Sequence, residues 1–171
     1  WAFGYLQSQE RYETQEEVLG VASEYRRRGI GLDGMIQDWI SWDGAKWGEK
    51  TFDKSRYPQP DQMVKQLHEM DVYFMLSIWA NPGDTSDDYK EFKEAGLLLP
   101  ADNSYNAYLP EARDMYWQQA KRGLFDKGVD AWWCDNSEPY APEWTVPVKP
   151  EPSRLFDMYC KEAGAHLPAL E

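Results

Sequence analysis

Two hydrophobic periods alternate along this chain, and that alternation restricts its fold more than any other feature. Four apolar stretches, 1–8, 30–39, 72–79 and 128–135, carry strand-like patterning. Between them lie segments long enough for a helix, with apolar residues three and four apart. Parallel strands cannot be joined by a tight hairpin and need a crossover of this length. The order strand, helix, strand, helix, strand, helix, strand therefore predicts an α/β fold with a parallel sheet and right-handed crossovers. An open doubly wound sheet and part of a closed β/α barrel both satisfy it.

The helical segments have recognisable ends. Thr14 with Glu17 three residues later has the form of a capping box, followed by Val18, Val21, Ala22 and Tyr25 on one face. Arg26, Arg27 and Arg28 sit at the negative end of the helix dipole, and Gly29 stops the helix. This arginine triplet is expected to be a solvated helix end. Pro60 or Asp61 opens the next helix, with Met63, Val64 and Leu67 inward. His68 on it reads as a packed or surface residue. A short helix is expected over 87–95 and a longer one over 110–127, with Ala112, Met115, Tyr116, Ala120 and Leu124 at core spacing. A last helix is expected over 153–163.

With 171 residues the chain suffices for one domain but not for a complete eightfold β/α barrel, which typically needs about 250. Trp1 is not an initiator Met, and the chain is expected to be a stretch of something longer. A net charge of -12 disfavours nucleic acid and anionic membrane surfaces as partners. No apolar run approaches the roughly 20 residues of a membrane span. Nine Trp and eleven Tyr supply flat faces for a core or for a neutral ligand. Cys134 and Cys160 lack metal-type spacing and are read as reduced.

The strand ends carry the chemistry. In α/β folds, ligands and catalytic groups gather at the C-terminal ends of the strands. In the fourth strand, Trp133 and Asp135 share one face while Trp132 and Cys134 share the other. Asp38 repeats the pattern of a carboxylate closing an apolar strand, and Trp79 closes the third strand. The bland alternative makes Asp135 a turn or cap residue, since Asp-Asn-Ser is turn-forming chemistry. No glycine-rich phosphate loop follows the first strand, which argues against a dinucleotide fold. Gln7, Asp38, Trp79 and Asp135 on one rim argue for the barrel. The long connection after Asp38 holds Trp42 and Trp47 and reads as a functional loop.

These residues, taken in order, resemble the catalytic domain of glycoside hydrolase family 31. The resemblance runs through Trp1-Ala2-Phe3-Gly4, Gln7-Ser8, Arg11-Tyr12, Leu32-Asp33, Gln37-Asp38-Trp39, Phe52-Asp53, Arg56-Tyr57-Pro58, Ser77-Ile78-Trp79, Pro110-Glu111-Ala112-Arg113 and Trp132-Trp133-Cys134-Asp135 with Glu138-Pro139. The forms around Asp38 and Trp79 look more like the bacterial α-xylosidase branch than the animal α-glucosidases. Gly31 stands where Pro is usual, and Asn106 where an acidic residue is common.

The resemblance implies a TIM-type parallel β/α barrel, of which residues 1–171 hold about the first four units. They would form one partial catalytic domain that ends before the family's acid/base Asp. It implies a retaining α-xylosidase or α-glucosidase with Asp135 as nucleophile, and Asp38, Trp79 and Trp133 binding the sugar. Glu138 is expected to hold Asp135 or its loop in place. No cofactor or metal is expected, and the expected partners are an oligosaccharide or small α-glycoside and the remaining half of the barrel. The other readings are a catalytically inactive carbohydrate-binding domain, an α-transglycosylase, and an α/β domain whose aromatics are all core.

Overall fold

The structure, a computed structural model, describes residues 1–38, 40–99 and 103–135. Four strands, β1 (Leu6–Gln9), β2 (Gly34–Gln37), β3 (Tyr73–Trp79) and β4 (Ala131–Asp135), form one parallel sheet in the order β1-β2-β3-β4. Helix α1 (Gln15–Arg27) joins β1 to β2, and α2 (Pro60–Glu69) joins β2 to β3. Between β3 and β4 come α3 (Asp87–Glu94), α4 (Pro110–Gly123) and a short 3-10 turn at Phe125–Lys127. Sequential order with helical crossovers is the arrangement of consecutive β/α units in a TIM barrel.

The strands are shorter than the apolar stretches that encode them. Gly4 N donates to Trp1 O at 2.8 Å, so the chain turns before β1 begins, and Trp1 stacks on Tyr73 instead. At the end of α1, Ile30 N donates back to Tyr25 O and Gly29 N to Arg26 O, with Gly29 at φ 65. This closure uses residues whose apolar pattern alone reads as strand. The expected helix over 110–127 breaks at Leu124 into the 3-10 turn.

Thr14 caps α1 as expected, its hydroxyl accepting from Glu17 N. Glu17 does not complete the box: its carboxylate accepts from Glu13 N at 2.6 Å, one residue upstream of the cap. Arg26 also does more than end a helix. It donates to Met70 O and Leu32 O, lacing α1 to the turn before β3 and to the segment that enters β2.

One face of the sheet is dry. Met35 of β2 and Phe74, Leu76 and Ile78 of β3 pack with Val18 and Ala22 of α1, Met63, Val64 and Leu67 of α2, and Leu124. Each of these inward faces follows helical or strand periodicity, so burial of apolar area drives the layer together. His68 bonds Asp130 at 2.8 Å, and the same carboxylate accepts from Phe74 N. That pairing lies at the N-terminal end of the strands, so His68 is a surface residue tied to Asp130, away from the strand C-termini.

Candidate functional site

In a parallel pair, register partners project to the same side of the sheet, and a slip of one residue reverses the face. Ser77 pairs with Trp133, and Trp79 pairs with Asp135. Because Leu76 and Ile78 face the helices, Ser77, Trp79, Trp133 and Asp135 lie on the opposite face, at the C-terminal ends of β3 and β4. Asp38 stands one residue beyond Gln37, which pairs with Leu76. It is therefore carried to the same end and the same face.

The structure thus gathers Asp38, Trp79, Trp133 and Asp135, as the sequence predicts. Gln7 does not join them. It pairs with Met35 and so points to the helix side, where it accepts from the hydroxyls of Tyr5 and Tyr25. The residue of the first unit level with Asp38 is Glu10, one beyond Gln9, the partner of Gln37. Glu138 and Cys160 lie outside the described residues, as does the helix expected over 153–163. Cys134 is a free thiol whose pKa burial raises.

Electrostatics tie the carboxylates together. Burial first, then the charges of Asp135 and Glu10, push the Asp38 carboxyl above its ordinary value. A like charge raises a carboxyl's pKa in this way only from close by. Asp38 and Asp135 are both half-buried, and Trp133 is 42% exposed, turning an open indole face toward the same side. Trp79 is held more firmly: its Nε1 donates to Ser77 Oγ at 3.2 Å, and Tyr116 Oη donates to the Trp79 carbonyl at 3.0 Å.

An aromatic wall stands behind Trp79. Trp47 meets it edge-on at 4.9 Å between ring centroids, and Trp42 at 6.3 Å, while Trp42 and Trp47 meet each other at 5.9 Å. Perpendicular geometry of this kind suits the ring quadrupoles and fixes all three planes. Both added indoles come from the long connection between β2 and α2, whose role the sequence suggests but whose contacts it does not.

That connection is tied at several points. Gly83 N donates to Trp47 O at 2.8 Å, and Asp87 N to a Glu49 carboxylate oxygen at 2.8 Å. Gly48 adopts φ 66, and a Cβ there would crowd the Asn81 carbonyl at 3.3 Å. Nearer Asp38, Ile40 adopts φ 45, a conformation a β-branched residue rarely takes. The Arg56 guanidinium bridges the carbonyls of Ile40 and Trp42 at 2.7 and 2.6 Å and pairs with Asp53. Nη2 alone donates to both carbonyls while Nε pairs with Asp53, so the rigid guanidinium plane ties the strained turn to Asp53.

Among the described residues no group of three or more His, Cys, Asp or Glu side chains is arranged to hold a metal ion. No helix among them is long and apolar enough to cross a membrane. The arrangement offers two carboxylates on an open floor with an indole wall. It can accept hydrogen bonds from hydroxyls, present a flat surface to a ring, and place an oxygen nucleophile beside that ring.

Comparison with known proteins points the same way. Residues 1–162 match the TIM-barrel domain of glycosyl hydrolases family 31. An alpha-xylosidase of Saccharolobus solfataricus is 37% identical over 139 residues, which are 81% of this chain and 19% of that protein. Alpha-xylosidase A of Aspergillus niger is 28% identical over 153 residues, with 81% and 20% covered. Among solved structures, the alpha-xylosidase of Xanthomonas citri superposes with a TM-score of 0.73 at 37% identity, over 78% of this chain and 16% of that one. An alpha-xylosidase from a soil metagenome, complexed with xylose, superposes at 0.71 with 32% identity, over 80% and 22%. The chain thus spans about a fifth of the length of these relatives.

Proposed function

Because this chain belongs to glycosyl hydrolase family 31, we propose that the protein is a retaining α-glycoside hydrolase, of α-xylosidase or α-glucosidase type, with Asp135 as its nucleophile. The observation that carries the reading is the pairing of Trp79 with Asp135 on the face that also receives Asp38. It supports the reading by bringing two carboxylates and an indole to one side of the sheet.

In the first half-reaction, an Asp135 oxygen attacks the anomeric carbon from the face opposite the departing group. The glycosidic bond breaks as the ester forms, and the leaving oxygen takes its proton from a second carboxyl group. In retaining enzymes that second group lies about 5 to 5.5 Å from the first. We assign it to a residue outside this chain. Water, deprotonated by the same group, then attacks the anomeric carbon, breaking its bond to the Asp135 oxygen and freeing the sugar with retained configuration and Asp135 as a carboxylate.

The other residues act on the charge that develops between these steps. Asp38, ionised, accepts hydrogen bonds from sugar hydroxyls, and these tighten as the ring becomes oxocarbenium-like. Trp79, fixed by Ser77 and the two neighbouring indoles, walls the ring and excludes water. Trp133 offers a second apolar surface on the nucleophile's own strand. To Glu138, which lies outside the described residues, we assign the holding of Asp135 in place.

The test is Asp135→Asn in the full-length enzyme with an activated aryl α-xyloside or α-glucoside. Turnover should fall on the order of a thousandfold or more. Azide should restore it and yield the β-glycosyl azide, since azide enters from the side vacated by the carboxylate. Saturable sugar binding by wild type without any turnover would favour an inactive binding domain. Transfer to a sugar acceptor in preference to water would favour a transglycosylase.

A further inference from the structure

Lys50 is buried to the end of its side chain, at 1% exposure, and so is its partner Asp88, at 5%. A buried ammonium is costly unless every donor is met. Here all three directions are used. Nζ lies 3.1 Å from Asp88 Oδ2, 3.1 Å from Gln119 Oε1, and 4.1 Å from the centre of the Tyr116 ring, over its face. The Lys50 backbone N–H donates to the same Asp88 oxygen at 2.8 Å. Gln119 in turn donates to Asp88 O and to Glu91.

The geometry joins three parts of the fold at one atom. Lys50 belongs to the connection carrying Trp42 and Trp47, Asp88 to α3, and Gln119 and Tyr116 to α4. The Tyr116 hydroxyl then reaches the carbonyl of Trp79. The loop backbone lies so close to α4 that a Cβ on Gly123 would fall 1.8 Å from Lys50 O. Nothing in the chemistry of hydrolysis requires a cation here. Burying one makes sense as a lock, because a paired charge accepts few alternative geometries.

We propose that Lys50 is a positioning residue for the sugar site: its ammonium locks the Trp42–Trp47 loop to α3 and α4 and, through Tyr116, fixes Trp79. The inference deepens the glycosidase reading and rests on it. Lys50 touches no substrate; it acts by holding the indole wall where the ring of the sugar must lie.

The test uses Lys50→Met in the full-length enzyme, read by amide hydrogen exchange and by steady-state kinetics on an aryl α-xyloside. Exchange over residues 41–53 should quicken at least about tenfold while α1 and α2 stay protected. The kcat should drop roughly ten- to a hundredfold with little change in KM, as misplacement near a reacting centre does. Tyr116→Phe leaves the ring for Lys50 and removes only the bond to the Trp79 carbonyl. It should lower kcat in the same sense, and its effect should not add to that of Lys50→Met. If Lys50→Met does not fold, Tyr116→Phe carries the test alone. Unchanged exchange over 41–53, exchange that rises evenly across the domain, or wild-type kcat in a variant with a loosened loop would each overturn the proposal. Wild-type enzyme inert toward every aryl α-glycoside would instead remove the glycosidase reading, with the exchange result still deciding whether Lys50 holds the loop.

Discussion

Trp79 and Asp135 are register partners across the β3–β4 ladder, so the indole and the carboxylate leave the sheet side by side at its C-terminal end. Neither can move alone. Asp135 is set by the pairing of a strand, and Trp79 by that pairing together with Ser77, Tyr116 and two further indoles.

The electrostatic link between the carboxylates predicts a pH effect. Asp38 has its pKa raised by burial, by Asp135 and by Glu10, so its ionised form is disfavoured in the folded protein. Sugar binding that relies on ionised Asp38 should weaken as pH falls through this raised value. In Asp135→Asn one neighbouring charge is gone, and the weakening should begin at lower pH. Titration of sugar affinity against pH in both proteins checks the direction, and a midpoint that moves upward would contradict it.

How far the sequence foretells this site depends on how local each signal is. Thr14 at the head of α1 and the face shared by Trp133 and Asp135 follow from near neighbours, and both stand as expected. Gln7 does not, because placing it needs the register of β1 on β2, and one residue decides the face. Lys50 and Gln119 leave no local trace at all: each is a polar residue buried against partners far away in sequence, one another among them at a separation of 69 positions. Glu10 escapes notice for a similar reason, since only the alignment of two strand ends sets it level with Asp38.

The close approach at Gly123 predicts opposite outcomes for two glycine substitutions. Gly123→Ala drives a methyl into the Lys50 carbonyl and should destabilise by about 1–3 kcal/mol. Gly20→Ala, within α1 and with nothing within 4 Å of its added carbon, should stabilise by roughly 0.5–1 kcal/mol. Denaturant melts of the two full-length variants decide. Equal effects would mean that the loop does not lie against α4 as described.

Arg56 supplies a third test. Arg56→Lys keeps the charge but cannot hold Asp53 through one nitrogen and the Ile40 and Trp42 carbonyls through another. The left-handed turn at Ile40 should relax, and with it the position of Asp38 two residues earlier. A stability loss of about 1–3 kcal/mol is expected, with kcat/KM falling about tenfold or more. Wild-type kcat/KM in a properly folded variant would show that the turn does not set Asp38.

Trp47→Ala removes the edge-on contact to Trp79 and to Trp42. Each such pair is worth about 0.5–1.5 kcal/mol beyond area burial. The loss should appear chiefly as a lower kcat/KM, because Trp79 keeps its backbone anchors while its plane is released. Trp47→Phe, which retains an edge, should recover most of it.

The most direct measurement is capture of the glycosyl-enzyme itself. A fluorinated α-glycosyl fluoride, incubated with the full-length enzyme and followed by peptide mapping, should attach one sugar, and the ester should be on Asp135. Label found on Asp38 or on any other carboxylate, or none with an enzyme that still turns over substrate, would contradict the account.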